Sequence, residues 1–154
     1  MAPRLGGPAP DFALRDQHGQ THRLSQLRGE SNVIVVFYPY AFSGVCTGEM
    51  GAIRDELPTL ARSQVALWAI SCDPVYALRV FAERESLTFP LLSDFWPHGA
   101  VAQAYGVFDS QQGRAERATF IVDIEGVLRW QVHNAMPDAR SIDDYVRVLA
   151  ELAA

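Results

Sequence analysis

Three uninterrupted runs of apolar residues stand out along the chain. They are VIVVFY at residues 33–38, VALWAI at 65–70 and TFIV at 119–122. Each run is rich in β-branched and aromatic side chains, and none alternates with polar residues. Strands with this pattern are covered on both faces. The pattern therefore predicts three buried strands at the centre of a sheet that is flanked by helices.

Between the first two runs, apolar residues recur at steps of four and three, the spacing of one helix face. They are Cys46, Met50, Ile53, Leu57 and Leu60. Pro58 has no amide hydrogen to donate, so we expect it to kink or shorten this helix. Further helices are predicted at 74–87, which a proline opens, at 98–106, and at 141–154, where Ser141 is a good N-cap.

Two hairpins complete the predicted elements. The segments DFALRD and HGQTHRL predict a short N-terminal hairpin with His18 and Gly19 at its turn. The segments RATFIVD and GVLRWQV bracket Ile124 and Glu125 as an antiparallel hairpin. A βαβ unit followed later by a ββα unit is the arrangement of the thioredoxin fold. We therefore predict an α/β protein of this fold, with a central mixed sheet, an N-terminal hairpin and an inserted helical segment.

Composition narrows the classes of function. The 154 residues are 49% apolar and contain no long linker, so we expect one domain over residues 1–154. With 13 basic and 18 acidic residues and no basic patch, the chain is not expected to bind nucleic acid. The segment MAPRLGGPAP lacks the apolar core of a signal peptide, and no apolar run approaches a membrane span. We expect a cytoplasmic protein with no membrane partner.

The chain has two cysteines, Cys46 and Cys72, which are too few for a secreted disulfide scaffold and are expected to be reduced. Cys46 ends the segment PYAFSGVC, directly after the first buried strand and in the first turn of the predicted helix. First-turn amides have no partner within the helix, and the helix dipole favours an anion there, so such positions lower the pKa of a thiol. Alternatively, Cys46 is one apolar position of the helix face.

Other residues have the spacing of a reactive site around this thiol. Pro39 would fix the chain as it leaves the sheet, and Ser43 would present a hydroxyl, although it is also a plausible N-cap. Glu49 lies one turn after Cys46 and alone would disfavour a thiolate, so a cation is needed between them. Arg117, at the start of RATFIVD, is our candidate. The spacing leaves open that Glu49 only complements the helix dipole and that Arg117 is a solvent-exposed charge.

The segment PYAFSGVC together with RATFIVD resembles the active-site signature of the peroxiredoxins, thiol peroxidases built on the thioredoxin fold. Through FYPYAFSGVCTGEM and FPLLSDFWPHGAVAQAYGVF it is similar to the one-cysteine alkyl hydroperoxide reductase E group. The resemblance implies that Cys46 is the peroxidatic nucleophile, Ser43 contacts the peroxide and Pro39 shields it. It also implies that Arg117 binds the thiolate and the peroxide, and that Glu49 orients the Arg117 guanidinium. Val45 and the first-turn amides complete the expected peroxide-binding set, with no cofactor and no metal.

Attack on a hydroperoxide leaves a sulfenic acid, which normally condenses with a second thiol. Gly51 stands five residues after Cys46, where two-cysteine groups carry a resolving cysteine, and the last residues up to Ala154 contain none. We interpret Cys72 as a buried core or strand-end residue, so an external low-molecular-weight thiol or a redoxin is the expected reductant. Proteins similar to this one often pair near the active site, so a homodimer is also expected.

Two alternative functions remain open at this point. A thioredoxin-like disulfide reductase is disfavoured because Ser43 replaces the first cysteine of a C-x-x-C motif, so the site could attack but not resolve internally. In a redox sensor or relay, oxidised Cys46 would pass its oxidation state to one partner protein.

Overall fold

A computed structural model describes residues 2–61, 64–134 and 142–153. Within these residues a seven-stranded sheet has the order β2-β1-β5-β4-β3-β8-β9, and β6 and β7 form a separate pair. The strands are β1 (Ala13–Arg15), β2 (Thr21–Arg23), β3 (Asn32–Phe37), β4 (Val65–Ser71), β5 (Leu91–Ser93), β6 (Phe108–Asp109), β7 (Arg114–Ala115), β8 (Ala118–Val122) and β9 (Leu128–His133). The helices are α1 (Gly44–Ala61), α2 (Val75–Glu85), α3 (Ala100–Ala104) and α4 (Ile142–Ala153), with a 3-10 helix at Leu24–Leu27.

The three apolar runs form the centre of the sheet, as predicted. They correspond to β4, β3 and β8, which are adjacent in that order. Strands β3 and β4 run parallel, as do β4 and β5, whereas β8 is antiparallel to both β3 and β9. The sheet is therefore mixed, and the predicted hairpins β1–β2 and β8–β9 lie at its two ends.

Alternate residues of β3 enter two separate hydrophobic cores, which explains the uninterrupted apolar run. Ile34 and Val36 pack in the core with side chains of α1, α2 and α4. Val35 and Phe37 pack in the core on the opposite face, which contains Ala102 of α3. Because successive strand side chains point to opposite faces, both sets must be apolar when both faces are covered.

The structure corrects several predicted helix boundaries. Helix α1 continues through Pro58 to Ala61, so the proline does not shorten it, and a kink at this position stays a prediction. Leu60, two residues later, is fully buried, and burial of a leucine stabilises by about 1.5–3 kcal/mol, comparable to the cost of about 3 kcal/mol for an interior proline. Helix α2 ends at Glu85 and is followed by the C-cap residue Ser86, whose backbone is left-handed, and α3 is shorter than the predicted 98–106. The predicted N-cap Ser141 lies outside the described residues.

Strands β3, β4 and β5 are parallel, so their carboxyl ends meet at one edge of the sheet, which we call the carboxyl edge. Helices α1 and α2 begin just beyond this edge, after β3 and β4 respectively. Ligands of open α/β sheets bind outside the carboxyl ends of the strands. Among the described helices, none is both long enough and apolar enough to span a bilayer.

Candidate active site

Cys46 lies in the first turn of α1, as predicted, because the helix begins at Gly44. The side chain is completely buried, in the same core as Met50 and Ile53 of the helix. The amide of Thr47 donates to the Ser43 carbonyl oxygen at 2.8 Å, closing the first helical turn around the cysteine. The sulfur therefore combines an apolar enclosure with the electropositive end of a helix.

A strained turn connects β3 to this helix. Phe42 has a φ of 71°, a left-handed conformation that is costly for a bulky side chain. Its ring packs against Phe81 with centroids 5.1 Å apart, and the Arg84 guanidinium lies 5.6 Å from its centroid. The neighbouring Ala41 amide donates to the Asp73 carboxylate at 2.9 Å. Packing against α2 and a hydrogen bond donated to the loop after β4 thus stabilise the turn from which α1 begins.

Arg117 reaches the thiol from the strand on the other side of β3. Its Nη2 donates to Cys46 Sγ at 3.6 Å, and its Nη1 forms an ion pair with Glu49 Oε1. Both side chains of the ion pair are only 1% exposed. The alternative in which Arg117 is a solvent-exposed charge is therefore wrong. The guanidinium lies between the thiol and the carboxylate, which is the place where the sequence required a cation.

The other predicted residues lie around the thiol on the same loop and helix turn. Pro39 is buried at the point where the chain leaves β3, and Val45 is exposed. Ser43 immediately precedes α1, and its hydroxyl donates to the Tyr40 carbonyl oxygen at 3.0 Å. In this state the hydroxyl proton is directed to the loop, so donation to a peroxide would require the hydroxyl to rotate. The peroxide contact of Ser43 stays a prediction.

Cys72 has a different environment. It follows β4 and is buried, and both it and Cys46 are free thiols. Burial, together with the negative charges of Asp94 and Asp73, raises the pKa of the Cys72 thiol to about 12, against which a hydrogen bond with the Ala115 backbone acts only in part. A thiol in this state is neutral at physiological pH and a poor nucleophile.

Two polar residues near the site, Asp73 and Asn134, were not predicted from the sequence. Asp73 also accepts a hydrogen bond from Ser71 Oγ at 2.8 Å, and so joins β4 to the loop before Cys46. Asn134, just beyond β9, donates its backbone amide to the Arg117 carbonyl oxygen at 2.9 Å. The position of Asp73 directly after a buried strand was a usable signal for a carboxyl-edge residue. Nothing in the local sequence marks Asn134.

A buried arginine held against a thiol at a helix N-terminus, on a thioredoxin-like fold, defines the class of protein as a peroxiredoxin, a thiol-dependent peroxidase. Comparisons with known proteins agree. Residues 5–131 match the AhpC/TSA family, and the chain therefore belongs to that family.

Several relatives cover nearly the whole chain. It is 46% identical over 150 residues to alkyl hydroperoxide reductase E of Mycobacterium tuberculosis, covering 97% of this chain and 98% of the relative. It is 35% identical to a thioredoxin peroxidase of Fasciola hepatica, covering 92% and 77% respectively. Among solved structures, the peroxidoxin BcpB of Mycobacterium tuberculosis superimposes with a TM-score of 0.86 at 31% identity, covering 97% of this chain and 98% of that one.

Proposed function

We propose that this enzyme is a one-cysteine peroxiredoxin that reduces hydrogen peroxide and organic hydroperoxides at Cys46 and is regenerated by an external thiol. The observation that carries the proposal is the 3.6 Å contact between Arg117 Nη2 and Cys46 Sγ inside a buried site. Pro39 shields the thiol, Ser43, Val45 and the first-turn amides line the peroxide position, and Glu49 orients the guanidinium.

The proposed reaction has an oxidative and a reductive half. The Cys46 thiolate attacks the nearer peroxide oxygen, the O–O bond breaks, and the leaving oxygen takes a proton to give an alcohol or water. Cys46 becomes a sulfenic acid. One external thiol then displaces water to form a mixed disulfide, and a second thiol releases Cys46 and leaves as a disulfide. Because turnover consumes reduced thiols, we infer a reducing compartment such as the cytoplasm.

Ionisation of the thiol alone cannot supply the rate of such an enzyme. A free thiol of pKa about 8.5 is roughly 3% ionised at pH 7, so complete ionisation gains about 30-fold, or about 2 kcal/mol. A lower pKa also makes the sulfur less nucleophilic. One donor that is already aimed at the developing charge is worth about 2.7–4 kcal/mol. The proposed mechanism therefore depends mainly on Arg117 stabilising charge on the peroxide oxygens.

Resolution by an external thiol is supported by the state of Cys72. This thiol is buried, and its raised pKa makes it a poor partner for a sulfenic acid. Cys46 is itself completely buried, so both the peroxide and the reductant require movement of a group that covers the sulfur.

The proposed nucleophile can be tested with the two cysteines as matched controls. Purified Cys46→Ser and Cys72→Ala variants would be mixed with one equivalent of hydrogen peroxide, and sulfenic acid would be trapped with a dimedone probe and located by mass spectrometry. We expect rapid labelling at Cys46 in the wild type and in Cys72→Ala, and loss of peroxide consumption in Cys46→Ser. Peroxide consumption by Cys46→Ser at the wild-type rate would refute the assignment.

A homodimer through the carboxyl edge is the second part of the proposal. Of the nine exposed large apolar side chains among the described residues, seven lie on loops and helices that follow β3, β4 or β5. Trp96 is 81% exposed and Tyr76 80%. Apolar side chains gathered on one edge favour an interaction surface. The seven are Tyr40, Phe42, Val45, Tyr76, Val80, Phe95 and Trp96.

Sedimentation equilibrium tests the dimer. We expect Trp96→Glu and Tyr76→Glu to weaken association, because each would bury a charge in an apolar interface. Ile124→Glu is the control, since Ile124 is exposed in the turn between β8 and β9. A monomeric wild type, or equal association of all the variants, would contradict a dimer through this edge.

A further inference from the structure

Asn134 and Arg117 face each other across the extension of the β8–β9 pair. Ala118 pairs with His133 in antiparallel register, and the Asn134 amide donates to the Arg117 carbonyl oxygen at 2.9 Å. Residues directly opposite in an antiparallel pair project their side chains on the same face, with Cβ atoms about 4.5–5.5 Å apart. The register therefore brings the Asn134 side chain beside the arginine of the active site.

Arg117 has a buried donor without a hydrogen-bond partner, and Asn134 has a buried acceptor without one. Arg117 Nη2 contacts the thiol and Nη1 pairs with Glu49, but Nε is buried and has no hydrogen-bond partner among the described residues. Asn134 Oδ1 is a buried acceptor that likewise has no hydrogen-bond partner among the described residues. A buried donor or acceptor left unpaired is costly, so native structures rarely keep one.

Both residues line one polar cavity of about 240 Å³, together with Asp109, Arg114 and Glu116. The cavity leaves the Asn134 side chain room to turn. The Asn134 amide oxygen can thus satisfy Arg117 Nε by rotation of its side chain.

We propose that Asn134 is a positioning residue whose side-chain amide oxygen accepts a hydrogen bond from Arg117 Nε and fixes the plane of the guanidinium. The inference rests on the proposed function of Arg117. Among the described residues the guanidinium has two other contacts, and one of them is to Cys46 Sγ, a sulfur that changes chemically in every cycle. An anchor at Nε does not depend on the state of the sulfur. It would keep Nη2 aimed at the peroxide position while the thiolate becomes a sulfenic acid.

The test uses Asn134→Leu, which has similar size but no acceptor, and Asn134→Asp, which keeps an acceptor oxygen. Gln131→Leu is the matched control, since Gln131 is an exposed amide on the same strand. The rate constant for Cys46 oxidation would be measured by rapid mixing with hydrogen peroxide and with tert-butyl hydroperoxide. We expect Asn134→Leu to be slower by about tenfold or more, the effect of one hydrogen bond to a charged group. Asn134→Asp should retain most of the rate, and Gln131→Leu all of it.

Two further results separate positioning from other roles. The slowing should be the same factor for both peroxides, and Asn134→Leu should add nothing in an Arg117→Met background. Different factors for the two peroxides would mean direct substrate contact, and an additive effect would mean a role independent of Arg117; either overturns the proposal. So does a wild-type rate in both Asn134→Leu and Asn134→Ala. If Cys46 of the wild type is not oxidised at all, the proposed function itself has failed.

Discussion

Arg117 contacts both the Cys46 sulfur and the Glu49 carboxylate. Replacing Arg117 by methionine keeps much of the side-chain length and removes the charge and all five N–H donors. The change removes the cation from the thiol and from the buried carboxylate at once. Activity and stability should therefore both fall, for separate reasons that a second substitution can distinguish.

The two losses have different sizes. Removing one aimed donor from the peroxide site should slow Cys46 oxidation by about 10²- to 10³-fold, or about 2.7–4 kcal/mol of transition-state stabilisation. Taking one partner from a buried ion pair costs about 3–5 kcal/mol of folding stability. Both side chains are 1% exposed, so solvent screening does not reduce this second figure. Against a total stability of about 5–15 kcal/mol, the single variant is severely destabilised.

The double variant Glu49→Gln/Arg117→Met removes both charges and should recover most of the stability, because neutral replacement of a buried ion pair is often tolerated. Urea unfolding measures the stability, and rapid mixing with hydrogen peroxide measures the rate of Cys46 oxidation. We expect the double variant to regain stability and to remain slow. A double variant that oxidises Cys46 at the wild-type rate would show that Arg117 acts only through folding, and the proposed mechanism would be refuted.

Three further outcomes are expected. Ser43→Thr should keep most of the peroxide-consumption rate because the hydroxyl is retained, whereas equal activity of Ser43→Ala would remove this residue from the mechanism. Cys72→Ala should not change turnover with dithiothreitol, and a Cys46–Cys72 disulfide found by mass spectrometry after one equivalent of peroxide would contradict external resolution. Burial raises the pKa of Asp16, but hydrogen bonds from His22 and from the backbone amides of His18 and Gln20 outweigh it, so the pKa is lowered overall. That stabilisation is present above the unfolded-state pKa of about 4 and is lost as the pH falls through the lower folded-state value. Asp16→Asn should therefore lower the free energy of unfolding by about 1–3 kcal/mol at pH 7. Urea unfolding of the wild type and the variant should show that their difference in free energy becomes smaller in acid. A difference that does not change with pH would show that the charge of Asp16 is not responsible.

The central strands could be predicted because their environment leaves a strong signature. Strand β3 is six residues long and buried on both faces, so nearly every position is apolar. Strand β5 has only three residues, and β6 and β7 have two each. A period cannot be recognised over so few positions, and pairing with neighbours distant in sequence decides whether such segments become strands. These strands were accordingly missed.

Site residues that are close in sequence could likewise be predicted, whereas those that sheet pairing brings together could not be predicted from spacing alone. Pro39, Ser43 and Cys46 are close in sequence, so their spacing alone predicted a shared loop and helix turn. Arg117 arrives through sheet pairing, because Phe37 opposite Ala118 places it beside the point where the chain leaves β3. Its identification needed the resemblance as well as the charge argument, since spacing could not distinguish it among the 13 basic residues.

Asn134 could not be predicted, because its position depends on an irregularity in the β8–β9 hairpin. With an unbroken register around Ile124 and Glu125, the residue opposite Arg117 would be Val132. Two offsets of one residue each change this register. The turn pairs Val122 with Leu128 instead of Val127, and a bulge between Ile121 and Val122 adds one more residue, so that Val132 instead faces Thr119. Such a bulge inserts residues on one strand only, and no residue type in GVLRWQV requires it. Asn134 therefore lies opposite Arg117, where an unbroken hairpin would place Val132.

A carboxylate beside Arg117 weakens the attraction between the guanidinium and a thiolate, so the presence of Glu49 in the site needs a physical reason. In the proposed cycle the thiolate becomes a neutral sulfenic acid. Without Glu49 that step would leave a lone cation in a site where the arginine is 1% exposed, and burying an unpaired charge is costly. With Glu49 the site changes from one negative charge to none, and Arg117 is paired throughout. The carboxylate therefore reduces the attraction in the resting state and prevents a larger penalty in the oxidised state.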